Sequence, residues 1–378
     1  MRILRHAYFL MALFCLLSCK KEEGAEQLPS RTVMVYMAAN NNLASDAYTN
    51  LNQLEEGVAV SGEKLLVYAR IFGQQPKIYE IQRDNSPEIK SKILKTYSDH
   101  DSSDPAVMKQ IFADMQTLAP ARSYGAILWS HATNWAPASL QLQTRSFGDD
   151  NFSRMDVQDM RKALPAGLDY LIFDACSMAS VEVLYELRAV APYILASPTE
   201  VLAVGMPYQE IAPLLFAEDV QQGLRSVAEK YVQYYQEKSG LEQSASFSLV
   251  DTRQLEPLAQ ACASVLARYG SLIPSIDRTA LQRLDFDPAS PVPAYDLLDF
   301  FEKNFPEAAR KEIQQIVDKA VLYKAHTPYF LGQAIQRFSG LSTYVPGPAE
   351  AAYQAFYETL SWAKDAGYSK MFYNFRTP

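Results

Sequence analysis

Cysteine and histidine are scarce in this chain: 378 residues carry four of each. Four cysteines cannot staple a chain of this length, so a disulfide framework is excluded. No Cys-x-x-Cys or His-Glu-x-x-His pattern supplies the ligand spacing of a zinc site. Positive charge is also short. Lys and Arg number 35 against 43 Asp and Glu, a net charge of −8 with no basic block. That balance argues against nucleic acid as a partner. A Gly-x-Ser-x-Gly elbow is missing, which disfavours a serine hydrolase. The nearest approach to a phosphate loop, Gly57-Val-Ala-Val-Ser-Gly62-Glu-Lys64, has Glu63 where the lysine belongs and no Ser or Thr after Lys64, so it is discarded.

What is present reads as a globular protein, 48% hydrophobic and 12% aromatic. Its N-terminus is a targeting segment. Arg2 and Arg5 precede an apolar stretch, Ala7 to Leu17, too short to span a bilayer and suited to a signal peptide. It ends Leu16-Leu17-Ser18-Cys19, which resembles a bacterial lipobox. Residues 1–18 are therefore expected to be removed, Cys15 with them, and Cys19 to carry a lipid. Residues 19–31 form a polar tether. Glu22 and Glu23, just past Cys19, resemble a surface-export signal. The expected location is the cell envelope, lipid-anchored at the outer membrane or cell surface, with no spanning segment required.

Strand and helix patterns alternate along residues 32–215. Strands are expected at Thr32–Met37, Leu65–Ile71, Lys77–Gln82, Tyr124–Trp129, Tyr170–Phe173 and Tyr193–Ala196. Helices are expected at Ser45–Glu56, Pro105–Leu118, Asp156–Leu164 and Ser177–Ala189. The alternation predicts an α/β fold, a mainly parallel sheet with helices on both faces. Residues 216–378 read as a mostly helical subdomain packed on that sheet. Its helices are Val220–Glu237, Gln254–Tyr269, Tyr295–Lys303, Arg310–Leu322 and Ala349–Ala366, with isolated strands at Ser244–Leu249 and Leu341–Tyr344. Tyr231, Tyr234, Tyr235, Phe300, Phe301, Tyr353, Phe356 and Tyr357 read as core in those helices, and so does Cys262.

Two apolar strands end on reactive residue types. Tyr124-Gly-Ala-Ile-Leu-Trp-Ser-His131 ends on an imidazole, and Leu168-Asp-Tyr-Leu-Ile-Phe-Asp-Ala-Cys176 on a thiol. As parallel neighbours they would place His131 and Cys176 together at the carboxyl edge of the sheet, where open α/β sheets bind ligands. A thiol beside an imidazole is a nucleophile with its base. A helix starting at Ser177 would aim its N–H groups at the sulfur and lower the thiol pKa. Backbone N–H groups of Ala132 and Cys176 are placed to hold an oxyanion. His100 falls in a polar loop and His326 at a helix end, so neither competes for the role.

Leu128-Trp-Ser-His131-Ala-Thr-Asn-Trp135 and Phe173-Asp-Ala-Cys176-Ser-Met178 resemble the His and Cys motifs of clostripain-like cysteine peptidases, whose catalytic domain is similar to that of caspases and gingipains. Val35-Tyr-Met-Ala-Ala-Asn-Asn-Asn-Leu43, Glu182-Val-Leu-Tyr-Glu-Leu187, Ala196-Ser-Pro-Thr-Glu200 and Gly205-Met-Pro-Tyr208 add to the likeness. The resemblance implies a caspase-like catalytic domain over 32–215, His131 as base or acid, Cys176 as nucleophile, and cleavage of protein or peptide substrates after Arg or Lys. It implies Asp174 in the pocket for that cation, with Glu200 as a second acid. No organic cofactor is implied. Some relatives use calcium, and Asp149, Asp150, Asn151 and Asp156 are the residues that could bind it, although a solvated acidic loop is the plainer reading.

The chain departs from the pattern in three places. Ala132 replaces the usual glycine after the histidine, Asn40-Asn41-Asn42 replaces an Asp-containing turn, and Pro198 to Gly205 has lost the carboxylates of an acidic loop. Relatives are often zymogens cut between the two motifs, where this chain has Arg145, Arg154, Arg161 and Lys162. The rival expectation is an inactive relative, disabled at Ala132 and retained as a peptide- or protein-binding surface lipoprotein. A structural envelope protein would have no cleft at these strand ends.

Overall fold

The computed structural model describes residues 28–59, 62–136, 147–270, 276–286, 292–347 and 350–373. The signal segment, Cys19, most of the tether and Arg145 lie outside the described residues. All nine residues of β1 (Arg31–Ala39) are buried, as expected for a strand covered on both faces. Its side chains alternate between two apolar layers. Met34, Tyr36 and Ala38 join one, and Val33, Val35, Met37 and Ala39 join the other.

After α1 (Ala44–Gly57), β2 (Lys64–Ile71) pairs parallel with β1, and β3 (Lys77–Glu80) and β4 (Lys92–Thr96) extend that edge antiparallel. The next helix, α2 (Pro105–Leu118), begins with Pro105 behind an Asp104 cap that accepts the Ala106 N–H. It leads to β5 (Ser123–Trp129), which pairs parallel on the other side of β1. The short hairpin β6 (Phe147–Asp150) and β7 (Ser153–Met155) stands apart from the sheet. Then follow α3 (Val157–Ala163), β8 (Tyr170–Asp174), α4 (Val181–Leu187) and β9 (Tyr193–Ala196), with β5, β8 and β9 parallel.

After α5 (Tyr208–Ile211), the chain beyond residue 215 runs through α6 (Val220–Gln236), β10 (Ser246–Asp251), α7 (Leu255–Tyr269), β11 (Tyr295–Asp296), α8 (Leu297–Asn304), α9 (Glu307–Ala320) and β12 (Val321–His326). The sheet has nine strands in the order β12-β10-β9-β8-β5-β1-β2-β3-β4. Its five central strands are parallel and both edges are antiparallel. The α/β reading holds, with α2, α3, α4 and α7 on one face and α1 and α6 on the other, as their buried residues divide between the two layers.

Several expected elements are corrected. Ser244–Leu249 is not isolated: β10 joins the main sheet between β9 and β12. Leu322 belongs to β12, which the helical pattern concealed. Residues 342–343 pair with β11. The expected helix Ala349–Ala366 is split into Ala351–Tyr357 and Ser361–Asp365. Leu360 is extended there, and the Ser361 N–H is captured by the Glu186 carboxylate of α4, a tertiary bond that no local periodicity reveals. The aromatic stripe is core as expected, including Tyr231, Phe300, Phe301 and Tyr357, and Cys262 is buried in α7.

Candidate active site

The chain passes from β1 to β2 on one side and then returns to β5 on the other, so the topological switch point lies between β1 and β5. Ligands bind outside the carboxyl ends of parallel strands at such a point. β5 and β8 are in register with Trp129 opposite Asp174, and the Ser130 N–H reaches the Asp174 carbonyl at 3.4 Å. His131 and Cys176 therefore leave adjacent strands at the same level. Both line one cavity of about 70 Å³, together with Leu43, Trp129, Ser130, Asp174, Ala175, Val201, Leu202, Ala203 and Gly205. The structure brings the imidazole and the thiol to a shared groove.

Cys176 is half-buried. Its sulfur accepts the Val201 N–H at 3.3 Å and faces the Val201 carbonyl at 3.6 Å. Burial pushes the thiol up to about 12; the Val201 and Ala132 N–H groups oppose that rise, whereas Glu200 and Asp174 add to it. The expected helix start at Ser177 is not found. Ser177 adopts φ 59, its N–H bonds the Thr199 carbonyl at 2.7 Å, and the Ala179 N–H bonds Ser197 at 2.9 Å. Residues 177–179 thus pair with the segment after β9. The helix begins only at Val181, behind a Ser180 cap. No helix N-terminus lowers the thiol pKa here.

The His131 ring places Nε2 2.7 Å from Asn42 Oδ1. A side-chain carbonyl can only accept, so Nε2 carries the proton and Nδ1 is left as the basic nitrogen. Burial holds the imidazole below its usual pKa, Arg154 adds to that, and Asp149 and Asp46 oppose it. Asn42 carried no role in the sequence reading, although the Asn triplet at the end of β1 marked the place. The segment after His131 is anchored firmly. Asn134 Oδ1 accepts the Ser180 hydroxyl at 2.5 Å, and the Trp135 ring packs edge-on against Tyr344 and Tyr357, with centroids 5.1 and 4.8 Å away. Ala132 is not among the described residues with positive φ, so the missing glycine imposes no backbone strain and the N–H is retained.

Asp174 is buried in the cavity wall. It accepts the Met206 N–H at 3.1 Å and the Tyr208 hydroxyl at 2.9 Å. Burial raises its carboxyl to about 6 despite those bonds. Glu200 does not line the cavity: its carboxylate accepts the Phe286 N–H at 2.9 and 3.1 Å. The other histidines are engaged elsewhere. His100 is not simply solvated, because its Nε2 meets the Tyr68 hydroxyl at 2.6 Å. His326 ends strand β12, not a helix, with Nδ1 2.8 Å from the Thr327 carbonyl.

The residues considered for calcium do not fit a cation site. Asp149 is ion-paired with Arg154 at 2.6 Å. Asp150 accepts the Ser102 N–H and hydroxyl at 2.6 and 2.8 Å. Among the described residues no group of three or more acidic, His or Cys side chains could hold a metal ion.

The model of the clostripain family of C11 peptidases matches residues 35–369. This chain belongs to the clostripain family. It is a cysteine peptidase of that family, with a caspase-like fold. It is similar to an inactive zymogen C11 protease from Parabacteroides distasonis, at 30% identity and TM-score 0.79, over 90% of this chain and 99% of that one. A secreted C11 cysteine protease from Bacteroides thetaiotaomicron, in complex with an irreversible peptide inhibitor, is 29% identical with TM-score 0.77 over the same shares. A second structure of a secreted C11 protease from that organism, iotapain, is 25% identical with TM-score 0.79, again over 90% and 99%. A comparison with curated proteins returned no match.

Proposed function

We propose that this clostripain-family member is a cysteine endopeptidase with a His131–Cys176 dyad, oriented by Asn42, that cleaves after Arg or Lys. The observation that carries the reading is the shared cavity at the ends of β5 and β8, lined by both reactive groups and by a buried carboxylate. Nδ1 of His131 takes the thiol proton, and the thiolate attacks the scissile carbonyl. The developing oxyanion falls to the N–H groups of Cys176 and Ala132. The imidazolium then protonates the leaving amine, the C–N bond breaks, and water hydrolyses the thioester. Asp174 is the counter-charge for the guanidinium or ammonium of the residue before the scissile bond. Glu200, held by the Phe286 N–H, is outside the lining of the cavity in this conformation.

The conformation supports a resting enzyme. The cavity is small, about 70 Å³, and Val201 occupies both hydrogen-bonding directions of the sulfur. Displacement of the segment from Val201 to Gly205 would open the pocket and free the thiol. One solved relative is itself an inactive zymogen. Cleavage between the two motifs is the natural trigger. Of the sites inside the described residues, Arg154 lies in β7 and Arg161 and Lys162 in α3, which are regular elements poorly suited to a protease cleft. Export to the envelope with a lipid on Cys19 is part of the same reading, supported by the N-terminal segment and by the secreted relatives.

Hydrolysis of casein and of an Arg-containing peptide by the full chain, beside a Cys176→Ala variant, tests this function. Cleavage by the native protein alone is expected. Equal cleavage by both proteins, or by neither after limited proteolysis between the two motifs, would overturn it. Fragmentation of the protein itself should likewise be lost in the variant.

A further inference from the structure

Next to the catalytic cavity lies a larger one, of about 540 Å³, between the Asn40-Asn41-Asn42 turn, Phe72 and the β6–β7 hairpin. Large apolar side chains are rarely left in solvent without cause when they share one concavity. Here Phe72 is 68% exposed and Phe152 is 77% exposed, and both face this cavity. Phe152 sits at the hairpin tip with φ 72, next to Asn151 at φ 50. Glycine or asparagine would take that conformation with less strain than a bulky aromatic residue. A strained, exposed ring points to a role outside folding. Asp149, the acidic member of the lining, is neutralised by its ion pair with Arg154.

The position of the cavity relative to the dyad is fixed by the sheet. Along its carboxyl edge, Cys176 follows β8, His131 follows β5, the Asn triplet follows β1 and Phe72 follows β2, and these four strands are neighbours in that order. In the proposed reaction the acyl half of the substrate stays with Cys176. The leaving amine must reach the imidazole for its proton, so the chain beyond the scissile bond passes His131 toward β1 and β2. Strands are about 4.8 Å apart and an extended peptide advances about 3.3 Å per residue. Two strand spacings, from β5 to β2, are thus crossed by about three residues. Asn42 joins the two cavities, since it bonds the His131 ring and lines the second one.

We infer that this cavity is the subsite for the leaving half of the substrate, and that Phe72 and Phe152 select a large apolar side chain within the first three residues after the scissile bond. The inference rests on the His131–Cys176 reading and adds a specificity that the Asp174 pocket does not supply.

The test uses the full-chain protein, an Arg-coumarin amide whose leaving group stops at the scissile bond, and internally quenched peptides with a single Arg. Each of the three following positions is varied in turn among Phe, Leu, Gly and Asp. At one of them, Phe or Leu is expected to raise kcat/KM about ten- to hundredfold over Gly and Asp. In the Phe72→Ala/Phe152→Ala double variant that ratio should fall to within a few-fold of unity. Because the ratio is taken within each protein, a variant that is merely less active overall does not mimic the loss. Flat selectivity in the native protein, or an unchanged ratio in the variant, would overturn the subsite while coumarin release left the dyad standing. No release from the amide or from any peptide, even after limited proteolysis between the two motifs, would overturn the dyad reading, and the subsite with it.

Discussion

At His131 the proton on Nε2 is held by the Asn42 carbonyl, and Nδ1 is thereby left as the basic nitrogen. Asn42→Ala should lower kcat by about 10- to 100-fold with little change in KM. Asn42→Asp puts a carboxylate on the same nitrogen and stabilises the imidazolium. The acidic limb of the kcat/KM profile should then move to higher pH, and a purely structural Asn42 would leave that limb in place. Asp174 gives a second pH dependence. Its carboxyl, raised to about 6 by burial, is neutral below that pH and attracts no cation. The KM for an Arg substrate should fall as pH rises through 6, and Asp174→Asn should remove that dependence. An unchanged pH profile of KM in the variant would remove Asp174 from the pocket. At this scale the sequence exposed only residues whose chemistry is rare in the chain. His131 and Cys176 stood out because a thiol and an imidazole at apolar strand ends are unusual. Asn42 did not, because its role depends on a contact across 89 positions of chain. For Glu200 the acidic type says nothing of the Phe286 N–H that its carboxylate accepts.

Among the elements, the strands that carry the site were legible from apolar runs bounded by polar residues, since burial on both faces writes itself into composition. The turn after Cys176 was not. Ser177 to Ala189 has helical character throughout, yet the pairing of Ser177 and Ala179 with the segment after β9 outweighs it over the first turn. β12 was hidden because its side chains are only partly buried and it continues the pattern of α9. The segment from Val201 to Met206 holds the site from the other side, and Gly205 is its tightest point. Gly205 has φ +70, and a Cβ there would meet Asp174 Oδ2 at 2.7 Å. The Gly205 carbonyl also accepts the Tyr235 hydroxyl at 2.7 Å. Gly205→Ala should cost about 1–3 kcal/mol of stability, measured by denaturant unfolding, and should raise KM for Arg substrates by displacing the Asp174 carboxylate. A variant with native stability and KM would show that the segment is not held in this conformation.

Over the whole molecule, the C-terminal half contributes two strands to the sheet and the contacts that fix the site from behind. Glu182 of α4 is completely buried and accepts bonds from the Tyr344 N–H at 2.9 Å and the Tyr357 hydroxyl at 3.1 Å. Burial raises its carboxyl to about 7, so the folded protein binds a proton there that the unfolded chain releases near pH 4.5. Stability from this group is present below that pH and is lost as pH rises toward 7. Glu182→Gln carries no such penalty. Its melting temperature relative to the native protein should therefore improve from pH 5 to pH 8, and a constant difference would contradict the shift. The account as a whole turns on one thiol. An irreversible peptide probe ending in Arg, followed by mass spectrometry of the intact protein, tests it most directly. One adduct is expected, on Cys176, absent in Cys176→Ala and formed more slowly in His131→Ala. A protein that hydrolyses peptides while the adduct falls on Cys262, or on no cysteine, would contradict the account.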